Sequence, residues 1–165
     1  MLITLCGFMG SGKTTVGKVL ADFLGCPFMD LDDLVVKKAG KPIPEIFDHD
    51  GEEAFRKTEA SVLRSTVEKY AESTAVLALG GGAVMTPASA ALLQNSTVCI
   101  YLKASLDILL QRLDGETAGR PLADGYLAER LAEREPVYEK TAHVTVDTDG
   151  LSPEEVADEI IISCL

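Results

Sequence analysis

Positive charge is scarce in this sequence. Its 165 residues hold 15 lysines and arginines against 26 aspartates and glutamates, a formal net charge of −11. That balance argues against a nucleic-acid footprint and against an anionic membrane surface as partners. It also means that any anionic ligand must be gathered locally, by a few well-aimed groups. Cysteine is sparse too: Cys6, Cys26, Cys99 and Cys164 are scattered with no C-x-x-C pair. Such spacing suits neither a disulfide framework nor a zinc site, and reduced thiols in a cytoplasmic protein are the simpler reading. The two histidines, His49 and His143, lack metal-ligand spacing. No apolar run approaches transmembrane length, and the opening MLITLCGFMG has no basic segment ahead of it, so it reads as a strand rather than a signal peptide. Repeats, linkers and low-complexity tracts are missing as well.

What is present suffices for one compact domain, because 47% of the residues are hydrophobic and the length allows a sizeable core. Short apolar runs without helical spacing occur at Leu2–Cys6, Pro27–Met29, Ala75–Leu79, Val98–Leu102 and His143–Val146. Between them lie amphipathic stretches such as Lys13–Leu24, Glu52–Tyr70, Ser105–Leu113 and Leu127–Arg134. Ser152, Pro153 and Glu155 form a capping box that opens a last helix. Strands buried on both faces and alternating with helices predict a parallel sheet with helices on each side. Asp114–Gly125, DGETAGRPLADG, is the least patterned stretch and reads as a surface loop.

The most specific motif is GFMGSGKTT, in which Gly7, Gly12, Lys13 and Thr14 fit G-x-x-x-x-G-K-[ST] between a predicted strand and a predicted helix. Its glycines let consecutive backbone N–H groups face one anion, and the next helix aims its positive end at the same spot. Lys13 is expected to reach the β- and γ-phosphates of a nucleotide and the Thr14 hydroxyl to hold Mg²⁺. Nucleotide binding follows from this; the acceptor of the phosphoryl group does not.

Other polar residues gather at the ends of the expected strands, where open α/β sheets bind ligands. Asp30, Asp32 and Asp33 sit in FMDLDDLV, Arg56 in EEAFRKTE, Gly80, Gly81 and Gly82 in LALGGGAVM, Arg120 in GRPL and Arg134 in EREPVY. Duller readings compete. The aspartates have the chemistry to cap the next helix, which is the preferred reading for Asp33. Arg56, Arg134 and Arg112 have a competing reading as solvated charges, and the triple glycine as a flexible turn. Arg64 and Arg130 read as solvated.

The combination GSGKTT, D-L-D, G-x-E-x-F-R, GGG, R-P-L and R-x-P-x-Y, in this order, resembles the shikimate kinase family, from Leu2 to about the last helix. The resemblance implies ATP-dependent phosphorylation of the 3-hydroxyl of shikimate, on the way to chorismate and the aromatic amino acids. It implies a P-loop fold in which a five-stranded parallel sheet of order 2-3-1-4-5 is flanked by helices. Residues 1–165 would form one domain, with a substrate-binding helical subdomain at about 31–60 and a lid at about 114–125. Carried onto this chain, Lys13, Asp32 and Arg120 would be catalytic, Asp32 taking or orienting the proton of the attacking hydroxyl. Gly10, Ser11, Gly12, Lys13, Thr14, Thr15, Arg112 and Arg120 would bind ATP, with Arg112 near adenine and Arg120 on the lid. Asp32, Arg56, Gly80, Gly81, Gly82 and Arg134 would line the shikimate site, the two arginines holding its carboxylate, while Thr14 and Asp30 would serve Mg²⁺. The partners implied are two small molecules, shikimate and ATP, acting on a cytoplasmic monomer without nucleic acid or membrane. Another small P-loop kinase, acting on gluconate or a nucleoside monophosphate, is the nearest alternative, and a non-catalytic nucleotide-binding module is the rival from another class.

Overall fold

Every residue of β1 (Leu2–Cys6) is buried, and its side chains alternate between two faces, Leu2 and Cys6 joining one apolar cluster and Ile3 and Leu5 another. In the computed structural model, which describes residues 1–116 and 124–164, β1 is the central strand of five. β2 (Phe28–Asp30), β3 (Ala75–Ala78), β4 (Val98–Lys103) and β5 (Val144–Asp147) complete an all-parallel sheet in the order β2-β3-β1-β4-β5, as expected. Helices α1 (Lys13–Leu24) and α7 (Pro153–Cys164) cover one face through Val16, Leu20, Val156 and Ile160. The other face is covered by α2 (Leu31–Ala39), α3 (Ile43–Lys69), α4 (Pro87–Ser96), α5 (Leu106–Glu116) and α6 (Asp124–Thr141). Both faces being dry explains why the strands read as continuous apolar runs.

Several expected boundaries move. The run at Pro27–Met29 forms its strand one residue later, and α3 begins at Ile43 rather than Glu52, with a break at Gly51, whose φ is 86°. The stretch Asp114–Gly125 is not wholly loop: α5 continues through Glu116 and α6 starts at Asp124, while 117–123 lie outside the described residues. Helix α6 also runs past Pro136 to Thr141 instead of stopping near Arg134. Proline removes one helical hydrogen bond, but Tyr138 beyond it is fully buried, its ring 5.0 Å from that of Tyr101, and this packing carries the helix onward. Arg130 is half-buried, its guanidinium 4.9 Å from the ring of Tyr126, so it is not simply solvated. The α7 capping box is formed as read: Ser152 N–H donates to Glu155 Oε1 and Glu155 N–H to Ser152 Oγ, both at 3.1 Å. Among the described residues no helix is long and apolar enough to cross a membrane.

All five strands run the same way, so the P-loop, Asp30, Gly80–Gly82 and Thr148 emerge along one edge of the sheet. This is the edge where open α/β sheets collect ligands.

Candidate active site

At the end of β1 the chain turns through Gly7 to Gly12 into α1. Gly12, the N-cap, has φ 94°, a left-handed conformation that side chains with a Cβ avoid. The turn leaves the first N–H groups of α1 without helical partners, facing the cleft as an anion receptor. Lys13 Nζ folds back onto the same loop, donating to the carbonyls of Gly7 at 2.7 Å and Phe8 at 3.0 Å. Removal from water lowers its pKa to about 8, against the pull of Cys6, Asp32 and Asp30. A cleft of about 530 Å³ is lined by Gly10, Ser11, Gly12, Lys13, Thr14 and Thr15 on one side. On the other side stand Arg112, Thr148, Leu151, Pro153 and Val156. Arg112 Nη1 donates to the carbonyl of Gly10 at 3.0 Å, fixing α5 against the phosphate loop. The far wall from Thr148 to Val156 escaped sequence reading. Its only signal was position, because it follows the fifth strand at the ligand edge.

The carboxylates come from the end of β2. Asp30 is the N-cap of α2: its Oδ1 accepts the N–H of Asp32 at 2.9 Å, and its Oδ2 accepts the Thr14 hydroxyl at 3.2 Å. The cap is therefore Asp30 and not Asp33, which lies in the first turn, where a carboxylate favours the helix dipole. Asp32 is half-buried, and its pKa is raised by that burial and by Asp30 and Asp33, while Lys13 and Arg56 oppose the rise. Thr14 and Asp30 offer a hydroxyl and a carboxylate within reach of one ion. Mg²⁺ is usually held by one or two protein oxygens, with phosphates and water completing its shell. The pair fits that ion, and among the described residues no larger cluster of His, Cys, Asp or Glu competes for a metal.

Beside the P-loop, the Gly80–Gly82 turn after β3 brings the remaining groups together. A Cβ on Gly80 would lie 2.9 Å from Asp32 Oδ1 and 3.3 Å from Glu59 Oε2. One on Gly81 would lie 3.2 Å from Arg134 Nη1, and one on Gly82 would run into the Arg56 guanidinium, 3.0 Å from its Cζ. The triplet is thus a floor kept bare so that Asp32, Arg134 and Arg56 can close over it. Arg56 donates to Glu59 at 2.8 Å and its Cζ lies 5.1 Å from the ring of Phe55, which in turn packs on Phe47 at 4.9 Å. Arg134 lies over the ring of Phe8, its Cζ 5.8 Å from the centroid. Arg120 lies outside the described residues.

Two participants were missed in the sequence. Glu59, buried and with its pKa raised by that burial while Arg56 counteracts it, looked like one more charge on a charged helix. Its signal was the i,i+3 spacing to Arg56. Tyr138, the tyrosine of the R-x-P-x-Y string, donates its hydroxyl to the carbonyl of Gly81. Its pKa is pushed up to about 12, chiefly by burial, so it stays a donor.

This geometry has close relatives. A family model described as shikimate kinase matches residues 9–165. A shikimate kinase of Enterococcus faecalis is 40% identical over 164 residues, 96% of this chain and 95% of that protein. Among solved structures, shikimate kinase from Acinetobacter baumannii in complex with shikimate superposes with a TM-score of 0.87 at 35% identity, covering 97% of this chain and 90% of that one. A gluconokinase from Sinorhizobium meliloti, at 20% identity and a TM-score of 0.60 over 97% of this chain and 89% of that one, shares the fold. The chain therefore belongs to the shikimate kinase family: it is a phosphotransferase that uses ATP, with Mg²⁺, to phosphorylate the 3-hydroxyl of shikimate.

Proposed function

We propose that Lys13, Asp32 and Arg120 carry this transfer, with shikimate bound between Asp32, Arg56, Arg134 and the Gly80–Gly82 floor. The observation that carries the reading is the convergence of Asp32 and Arg56 on one glycine turn, on the strand next to the P-loop strand. Phosphoryl transfer is mostly positioning and charge neutralisation. Lys13 exchanges the Gly7 and Phe8 carbonyls for the β- and γ-phosphates, and the amides of Gly10 to Thr15 hold the same anion. Asp32 accepts a hydrogen bond from the attacking hydroxyl and takes or orients its proton. Arg56 and Arg134 present planar forks, which match a carboxylate better than an ammonium does. Glu59 and Tyr138 act through others, one holding the Arg56 fork and the other the Gly81 carbonyl.

Thr14 and Asp30 would hold Mg²⁺, which when bound neutralises charge on the phosphates. Arg112 stands beside adenine, in the cleft that Pro153 also lines. Arg120 closes over the phosphates from the lid at about 114–125, and the segment at about 31–60 forms the substrate-binding subdomain. The chain is proposed to work as a cytoplasmic monomer on small molecules alone.

Turnover of shikimate, gluconate and CMP, each with Mg-ATP, tests the acceptor. Shikimate is expected to exceed both by orders of magnitude, and faster gluconate turnover would overturn the assignment. Lys13→Met tests the phosphate loop and is expected to abolish transfer in a folded protein. Retained activity would show that the P-loop assignment is wrong. Asp32→Asn is expected to cut the rate far more than it weakens ATP binding.

A further inference from the structure

Away from the catalytic edge, α2 and the later turns of α3 enclose a second groove of about 440 Å³, lined by Leu34, Val62, Thr66 and three lysines, Lys37, Lys38 and Lys69, with Ser61 and Ser65 at its side. In a chain with 26 acidic residues against 15 basic ones, no carboxylate lines it, and among the described residues none of the three lysines is ion-paired. Cations complement helix C-termini, and all three lysines stand in last turns of their helices. That accounts for each lysine singly. It does not account for three of them facing one hollow without a counter-charge.

The hydroxyls narrow the chemistry. Ser65 Oγ donates to the carbonyl of Ser61 at 3.1 Å, and Thr66 Oγ1 to that of Val62 at 2.8 Å. With their protons committed to the helix, these oxygens are left as acceptors, suited to ligand O–H groups. Leu34 and Val62, both partly buried and packed against the apolar cluster beneath, offer a surface for a short carbon skeleton.

We propose that this groove is a second, non-catalytic site for a small hydroxylated organic anion, a phosphorylated or multiply charged hydroxy acid. The lysines would take its charges and the hydroxyls its O–H groups. The site would also communicate with catalysis. Leu34 lies two residues beyond Asp32 on α2, and Ser61 two beyond Glu59 on α3, so an occupant that ties α2 to α3 also fixes the spacing of Asp32 and Arg56.

The test uses 3-phosphoglycerate as probe, titrated into the full chain with its active site filled by ADP, Mg²⁺ and shikimate. Saturable binding is expected, with amide shifts at Leu34, Val62 and Thr66. The triple variant K37Q/K38Q/K69Q is expected to bind at least about tenfold more weakly while melting cooperatively and keeping its basal kcat. Lys18→Gln, at an exposed lysine on another helix, is expected to change nothing. Failure of the wild type to bind saturably would overturn the site, as would undiminished binding by the triple variant or an equal loss in Lys18→Gln. Inorganic phosphate is the second arm: binding as tight as that of 3-phosphoglycerate would overturn the role given to the hydroxyls. Coupling is read from the KM for shikimate, which 3-phosphoglycerate is expected to lower about fivefold in the wild type and not in the triple variant; an unmoved KM would remove the link to Asp32 and Arg56.

Discussion

Arg56 Nη1 donates to Oε1 of Glu59 at 2.8 Å, one helical turn on, and Glu59 is 2% exposed. The carboxylate is buried chiefly to hold one guanidinium, since Arg56 is what pulls its raised pKa back down. A buried charge kept for one partner is justified by the partner's position more than by stability. Glu59→Gln keeps the shape and loses the charge, so Arg56 is freed to turn away. The KM for shikimate is expected to rise about tenfold, the equivalent of ~1.4 kcal/mol, with the KM for ATP nearly unmoved. Steady-state kinetics with each substrate varied in turn decide it. Equal losses toward both substrates would make Glu59 a general structural residue.

Gly82 supplies a steric test of the same hollow. Its φ is −105°, an ordinary value for any residue, so Gly82→Ala strains no backbone. The added methyl meets the Arg56 guanidinium instead. A weakened shikimate complex, with KM raised about tenfold or more, is therefore expected without a large change in melting temperature, because surrounding structure can yield at the far end of a side chain. A variant that melts much lower yet binds shikimate normally would place the glycine's purpose in the fold.

The legible parts of this molecule were those set by local rules. The P-loop is a contiguous string whose backbone geometry demands glycine, and the capping box closes within Ser152–Glu155. Both could be read without knowing what lies nearby. The sheet order followed from the resemblance, because strand runs alone do not say which strand neighbours which. Tyr138 and the wall from Thr148 to Val156 were invisible for a different reason: each matters through what the fold brings near it, such as Tyr138 to Gly81, 57 positions apart. Glu59 had a local signal in its i,i+3 spacing to Arg56, but nothing local to show that it is buried. The amphipathic stretch Leu127–Arg134 fell short of the helix for a related reason: beyond it the local cost of Pro136 is outweighed by the burial of Tyr138.

The pH dependence should separate the two charges nearest the chemistry. Lys13 must be protonated to meet the phosphates, and in the free enzyme its pKa is lowered to about 8. The value of kcat/KM for ATP is therefore expected to fall as pH rises through about 8. Saturating ATP surrounds the ammonium with negative charge and raises its pKa, so kcat should hold to higher pH. Asp32 must be ionised, and burial raises its pKa above that of an ordinary aspartate. The acid limb of kcat/KM for shikimate should consequently lie above the pKa of an ordinary aspartate and vanish in Asp32→Asn. An alkaline limb at the same pH in kcat and kcat/KM would show that bound ATP leaves Lys13 unaffected.

Asp30 performs two tasks that a single substitution can divide. Its Oδ1 caps α2 by accepting from Asp32 N–H, while its Oδ2 accepts from the Thr14 hydroxyl. Asparagine caps a helix about as well as aspartate, within roughly 0.5 kcal/mol. For a domain of this size that corresponds to a shift in melting temperature of only about 1–2 °C. A neutral amide beside Thr14 is, however, a poorer neighbour for a divalent cation than a carboxylate. Asp30→Asn is accordingly expected to melt like the wild type and to need about tenfold more Mg²⁺ for half-maximal activity, with excess Mg²⁺ restoring most of kcat. Asp30→Ala removes the cap as well, and is expected to lose about 1 kcal/mol of stability on top of the same metal requirement. Should Asp30→Asn reach half-maximal activity at the wild-type Mg²⁺ concentration, the carboxylate is there for the helix alone and the metal is held by other groups.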